Sequence, residues 1–277
     1  MPSGYTYVIS DVHGCFDEFV HVLALSGFAS NDRLFVLGDA IDRGDKPVEM
    51  IRWLLNAPSN VTYMLGNHEL MMLEDVRDPG TTTVPTISNW GYNGGADTGQ
   101  KMMQGLNADE RIEYFELCRT LSPAAAVKYR DANNGGFLTE VYLIHAGCFI
   151  DEDMVATSAS IADLVSKQSL TDLVWERDTW LGSGWNPPIP VIFGHTPVHF
   201  AADYFRKLGD DWPMWSCGRS RPTEEMLLRG QNHLVMRWGN HIDIDCGCAY
   251  GGKLACLRLE DMHVFYSDNT EEELPER

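Results

Sequence analysis

The sequence predicts an α/β domain whose core is a parallel sheet. Three observations lead there. Strand-like apolar runs alternate with helix-like segments from Tyr5 to Asp75. Several of those runs stop on Asp, His or Asn beside a glycine. The part beyond Ala126 reads as richer in strands, as a second sheet would be.

In order along the chain, Tyr5–Ser10 reads as a buried strand and leads to a helix around Phe16–Ser26. Arg33–Leu37 leads to a helix around Pro47–Leu55, whose proline suits a first turn. Val61–Leu65 leads to a helix at Glu69–Asp75, with Leu70-Met71-Met72-Leu73 packing on the core. This βαβαβ order argues for parallel strands. Asp78–Gly99 is irregular and rich in Thr, Pro and Gly, and Asp109–Leu121 reads as an amphipathic helix. Val141–Ile144 and Val191–Phe193 are strands of the later part. Ala201–His241 has two close tryptophans, several arginines and prolines, and no clean period; it reads as an insertion or lid near the site, within a single domain of residues 1–277. Ile242–Leu259 reads as paired strands turning at Gly251-Gly252, followed by a strand at His263–Tyr266.

At 277 residues and 44% hydrophobic, the chain can bury a large core. No apolar run is long enough to span a bilayer, and the start lacks the basic and apolar regions of a signal peptide, so a cytoplasmic protein with no membrane partner is expected. Seven scattered cysteines, an odd number, fit reduced thiols better than a disulfide framework; Cys246-Gly247-Cys248 is the one close pair. The formal net charge of −19 and the lack of a basic stripe argue against a nucleic-acid partner. Any phosphate specificity must then come from local positive charge, and the acidic tail Glu271-Glu272-Glu273 reads as solvated surface.

The chemistry lies at strand ends. Asp11 and His13 can face one ion from a single turn, and the Asp39 carboxylate can bridge two ions with its two oxygens. Asn67 offers an amide oxygen, and His145 and His195 add imidazoles from other strands. Asp, Asn and His suit manganese, iron or zinc. Two ions about 3.5–4 Å apart can clamp phosphoryl oxygens and hold a bridging hydroxide that attacks phosphorus directly. Any one of these histidines alone would more often be structural; the joint pattern is what points to metal. His21, His199, His233, His241 and His263 match nothing of this kind, though His199 and His241 are candidates to lie close to the cleft.

The strings Asp11-Val12-His13-Gly14, Gly38-Asp39-Ala40-Ile41-Asp42-Arg43-Gly44 and Gly66-Asn67-His68-Glu69, with the two later histidines, resemble the GDxHG, GDxxDRG and GNHE signature of the PPP-type phosphoprotein phosphatases, within the calcineurin-like metallophosphoesterases. The chain departs once, with Ser10 in place of the first glycine. Gly194-His195-Thr196-Pro197 and Tyr250-Gly251-Gly252-Lys253-Leu254 are similar to the bacterial and phage, lambda-phosphatase-like branch. The resemblance spans roughly residues 5 to 260 and implies a four-layer α/β (α+β) sandwich, two mixed sheets flanked by helices. It implies two divalent ions, manganese first in vitro with iron or zinc as alternatives.

The resemblance also assigns roles. His68 becomes the general acid and Asp42 its partner, although a loop-capping carboxylate is the plainer reading of Asp42. Arg43 and, after Trp175, Arg177 become phosphate clamps beside Asn67; for Arg177 the plainer reading is a surface arginine paired to Glu176 or Asp178. Trp90-Gly91-Tyr92-Asn93-Gly94-Gly95 resembles a loop that approaches the cleft, or is an ordinary Gly-rich loop. The expected activity is hydrolysis of phosphomonoesters, with phosphoserine and phosphothreonine in proteins first. Small phosphoesters, phosphotyrosine and symmetrical dinucleoside polyphosphates remain alternatives; the last fits less well, because those relatives often lack the GDxxDRG aspartate and carry GNHD. A pseudophosphatase that only binds is the non-enzyme alternative, disfavoured because every ligand and the acid are present.

Overall fold

A computed structural model describes residues 4–80, 87–208 and 222–274. The first part runs β1 (Thr6–Ile9), α1 (Phe16–Ser26), β2 (Arg33–Val36), α2 (Pro47–Leu55), β3 (Val61–Tyr63) and α3 (Asn67–Asp75). A π-turn at Gly91–Gly95 leads into α4 (Ala96–Gly105) and α5 (Ala108–Arg119). Then come β4 (Ala124–Asp131), β5 (Phe137–Ile144), four short helices α6 (Glu152–Thr157), α7 (Ile161–Ser166), α8 (Leu170–Trp175) and α9 (Asp178–Gly182), and β6 (Val191–Phe193). The chain continues with α10 (Val198–Leu208), α11 (Glu224–Gln231), β7 (Met236–Trp238), β8 (His241–Asp243), β9 (Ala255–Arg258), β10 (His263–Tyr266) and β11 (Glu271–Glu273).

Two mixed sheets result, ordered β11-β10-β9-β1-β2-β3 and β4-β5-β6-β8-β7. The strands β1, β2 and β3 pair in parallel, as do β5, β6 and β8; the remaining pairs are antiparallel. Side-chain alternation divides the first sheet between two cores. Val8, Phe35, Leu257 and Val264 join the core shared with the second sheet and its helices. Their neighbours Tyr7, Ile9, Leu34, Val36 and Cys256 pack with Phe19 of α1, Ile51 of α2, Met72 of α3 and Phe115 of α5. The central strands β1 and β6 are buried on both faces, which is why they read as short unbroken runs.

Local chemistry sets the helix ends. Gly27 caps α1 with φ of 72°, Pro47 opens α2, and Asn107 with Glu110 forms a reciprocal box at the head of α5.

Four expectations change. Beyond Ala126 strands do not dominate, because α6–α11 come from short apolar stretches whose Asp, Ser and Thr caps (Asp151, Ser160, Ser169, Thr223) nucleate single helices. Ile242–Leu259 is not one hairpin: β8 sits in the second sheet and β9 in the first, so this segment crosses between them. The acidic Glu271–Glu273 is solvated at Glu271 and Glu273, as expected, but it forms an edge strand on β10, with Glu272 held by Arg229 at 2.9 Å and by the Tyr266 hydroxyl at 2.6 Å. The stretch Asp78–Gly99 ends in the π-turn and the start of α4, and residues 81–86 lie outside the described residues. Within 201–241, the described parts are most of α10, then α11, β7 and the first residue of β8, with Ala201, Ala202 and Phe205 buried; 209–221 lie outside the described residues.

Leu257, fully buried between the sheets, tests this layering. Leu257→Ala should cost about 2–5 kcal/mol in denaturant unfolding; a loss well under 1 kcal/mol would contradict a close-packed layer there.

Candidate metal centre

Because β1, β2, β3, β5 and β6 are linked by parallel pairings within each sheet, their C-terminal ends collect the expected side chains along one edge. Asp11 and His13 follow β1, Asp39, Asp42 and Arg43 follow β2, and Asn67 and His68 follow β3. His145 and His195 follow β5 and β6. Six of these non-glycine residues have left-handed backbones: Asp11 (φ 51°), His13 (47°), Asp39 (50°), Asp42 (72°), Arg43 (67°) and His195 (67°). Such conformations cost about 1–3 kcal/mol each and cluster at functional sites.

Backbone hydrogen bonds hold the strained turns. Glu69, fully buried, accepts from the N–H groups of Gly66 (3.1 Å), Asp39 (2.9 Å) and Ala40 (3.0 Å). The His68 N–H donates to Asp39 Oδ1 at 3.0 Å, and the His195 N–H to Asp11 Oδ2 at 2.9 Å. Gly38 (φ 100°) passes so close to the neighbouring loop that a Cβ would sit 2.5 Å from Gly66 Cα.

Asp39 stands at the middle. Its Oδ2 lies 3.6 Å from His13 Nε2 and its Oδ1 3.5 Å from His145 Nε2. Two ligand groups share it, His13–Asp39–His68 and Asp39–His145–His195, each with its donor atoms within 4.8 Å of one another. Asn67 Oδ1 is 3.1 Å from His145 Nε2 and 2.8 Å from His195 Nδ1, and Asp11 Oδ1 is 3.9 Å from His13 Nε2. His13 Nδ1 donates to Ile41 O (2.9 Å) and His145 Nδ1 to Leu37 O (2.7 Å), which turns each Nε2 lone pair inward. Asp11 Oδ1, His68 Nε2 and His195 Nε2 are buried without partners. This donor set fits two divalent cations: neutral imidazoles, an amide oxygen and carboxylates, with buried acceptor atoms that nothing else satisfies.

The acid pair and the clamps lie beside the centre. His68 Nδ1 is 2.6 Å from Asp42 Oδ2, both residues fully buried. The same Asp42 oxygen accepts from the Trp90 indole N–H at 2.7 Å. Arg43 contacts His13 Nε2 and lies 5.2 Å over the Tyr250 ring. Arg177 donates to the His195 carbonyl at 3.2 Å, and Trp175 lies edge-on to the His195 ring. His199 stacks near Tyr250 and Phe200 at the rim, whereas His241 is buried against Trp238 and Trp180.

Sequence reasoning left three features unassigned. Glu69 carried no role, although it knits two loops. Trp90 was only a loop residue, because nothing local signals a partner 48 positions away. Asp243 and Asp245, buried at the end of β8, repeat the pattern of an apolar run ending on an acid, a signal that was there to find.

The charges explain what the centre lacks. Burial raises Asp39 well above the carboxylate range, with Asp11 and Glu69 adding repulsion. Burial likewise raises Asp243 and Asp245 and pushes Asp42 up to about 7. It lowers His13, His145 and His195, leaving neutral imidazoles ready to ligate, and lowers His68 as well. A metal-free folded chain therefore holds more carboxyl protons than the unfolded one and loses stability as pH rises. The histidines act with the opposite sign, but unfolded imidazoles are already neutral above about pH 7. The melting-temperature gap between manganese-loaded and EDTA-stripped protein should therefore widen from about pH 7 to pH 9. A gap constant with pH would mean that carboxylate crowding is not what the ions relieve.

The profile of the calcineurin-like phosphoesterases matches residues 5–217. The chain is 24% identical to the symmetrical bis(5'-nucleosyl)-tetraphosphatase of Cronobacter sakazakii and 23% identical to that of Salmonella typhimurium, each over 94% of this chain and 93% of the relative. Among solved structures it resembles a putative diadenosine tetraphosphatase (TM-score 0.54, 17% identity, 96% of this chain and 95% of that one). It also resembles a cold-active protein-tyrosine phosphatase from a psychrophilic Shewanella (TM-score 0.51, 17% identity, 99% and 83%). With its motif residues gathered at one edge of two mixed sheets and the family profile running across most of its length, this chain belongs to the calcineurin-like phosphoesterases, metal-dependent hydrolases of phosphoric esters.

Proposed function

We propose that this chain hydrolyses phosphomonoesters with poor, alkoxide-type leaving groups, phosphoserine and phosphothreonine in proteins being the first substrates to test. One observation carries the reading: the buried His68–Asp42 pair at 2.6 Å, locked by Trp90. An alkoxide cannot leave at neutral pH without a proton, whereas a phosphate leaving from an anhydride can. An imidazole oriented by Asp42, with a buried Nε2 that makes no hydrogen bond, is placed to hand on a proton in the first case.

In this reading Asp11, His13, Asp39, Asn67, His145 and His195 would hold two divalent ions. The ions supply neutralisation of phosphoryl charge and activation of water. Arg43 and Arg177 bind phosphate oxygens in a chain of net charge −19 that otherwise repels them. Arg43 reaches the centre from its edge, where its guanidinium contacts the His13 ring.

A second reading, hydrolysis of symmetrical dinucleoside tetraphosphates, draws on the relatives that cover 94% of the chain. The exposed rings of Phe200 (48%) and Tyr250 (46%) beside Arg43 also offer faces on which a base can stack.

Manganese-loaded protein should show higher kcat/KM on phosphoserine or phosphothreonine peptides than on phosphotyrosine peptides or diadenosine tetraphosphate; the reverse order would favour the second reading. His68→Asn should keep its metal content and slow alkyl phosphates about 10²–10⁴-fold, with a much smaller effect on an activated aryl phosphate. Equal slowing across leaving groups would remove His68 as the acid.

A further inference from the structure

Cys15, Glu18 and Cys248 meet at the rim of the cleft, outside the centre described above. One sulfur from each cysteine and one Glu18 oxygen lie within 4.8 Å of one another. Cys15 precedes α1 and Glu18 lies in its first turn, so their three-residue spacing puts both side chains on one face. Cys248 arrives from the segment that crosses between the sheets, in a short turn at Cys248–Tyr250 bounded by Gly247 (φ 72°) and Gly251 (φ 80°). Those glycines let the turn swing the thiol toward α1.

Cys15 and Cys248 are the half-buried members among the described cysteines; Cys118, Cys148, Cys246 and Cys256 are buried. Cys246 packs in the inter-sheet core, so the close pair in sequence splits in space and Cys248 finds Cys15 instead. Asp17, Glu18 and Asp45 line the same hollow, and Lys46 is tied to Asp17 at 2.6 Å. Arg43 lines the hollow too, but the charges that act on the sulfurs are those of Glu18, with Asp45 at Cys15 and Asp245 at Cys248.

We infer that Cys15, Cys248 and Glu18 form a third cation site, selective for zinc or another thiophilic divalent ion, with one position open to water. Zinc–sulfur bonds of about 2.3 Å in a tetrahedron separate two sulfurs by roughly 3.8 Å, so a shift of an ångström or less closes the site. Both thiol protons leave to solvent on binding. The donor set separates this site from the oxygen- and nitrogen-lined centre: hard manganese prefers the centre, and a thiophilic ion the rim. The bound ion ties the head of α1 to the turn that carries Tyr250, the ring beneath Arg43. This inference does not depend on which phosphoester is the substrate.

Cadmium is the probe, added to full-length reduced protein kept in saturating manganese. One equivalent should bind, produce the ultraviolet cadmium–thiolate charge-transfer band, and raise the melting temperature. Cys15→Ser and Cys248→Ser should each abolish the band and the rise, and Glu18→Gln should weaken binding about tenfold, while manganese-dependent turnover without cadmium stays near the parent's in Cys248→Ser. Absence of the band in the parent, or a full band in the Cys15→Ser/Cys248→Ser double variant, overturns the site.

Discussion

Asp39 presents one carboxylate oxygen to His13 and the other to His145, and these two histidines come from different sheets. A single side chain of about 2 Å span thus requires the ends of β1, β2 and β5 to meet within ångströms. That requirement fixes how the two sheets stack, because a one-residue slip of any strand would turn its terminal ligand to the opposite face. It also accounts for the left-handed turns: a chain leaving a strand in extended form would carry Asp11, Asp39 and His195 away from the edge. Glu69 supports the arrangement from behind by accepting three N–H groups of the Asp39 and Asn67 loops.

The same crowding sets the electrostatics. Asp11, Asp39, Asp42, Asp243, Asp245 and Glu69 are all buried within one part of a strongly acidic chain, where Arg43 and Arg177 are the cations in contact with the cluster. Burial and mutual repulsion accordingly push Asp39, Asp243 and Asp245 toward the protonated form. Divalent ions held there would offset the repulsion and favour the ionised carboxylates, so stability and metal loading would answer to the same crowding.

The portion of this legible in the sequence follows physical locality. Strand-end ligands such as Asp11, His13, Asn67 and His195 announce themselves because an apolar run, a glycine and a ligating side chain lie side by side. The limits of α1 and α2 were readable because a helical apolar period and, for α2, an initial proline are local signals. Contacts across the fold left no local trace. Trp90 reaches Asp42 across 48 positions, Cys248 meets Cys15 rather than Cys246, and Glu272 acquires partners only once β11 folds back on β10. The division of Ile242–Leu259 between two sheets was hidden for a related reason: two short strands joined through glycines look like a hairpin until a competing partner, here β1, claims the second.

Arg43 links the pieces. It touches the His13 nitrogen that an ion requires, and its guanidinium rests on Tyr250, which belongs to the segment crossing between the sheets. Its charge also pulls the Asp39 and Asp245 carboxyls downward against burial. In a chain of net charge −19, a guanidinium fixed between the buried carboxylates and an aromatic face is where local positive charge offsets the global field.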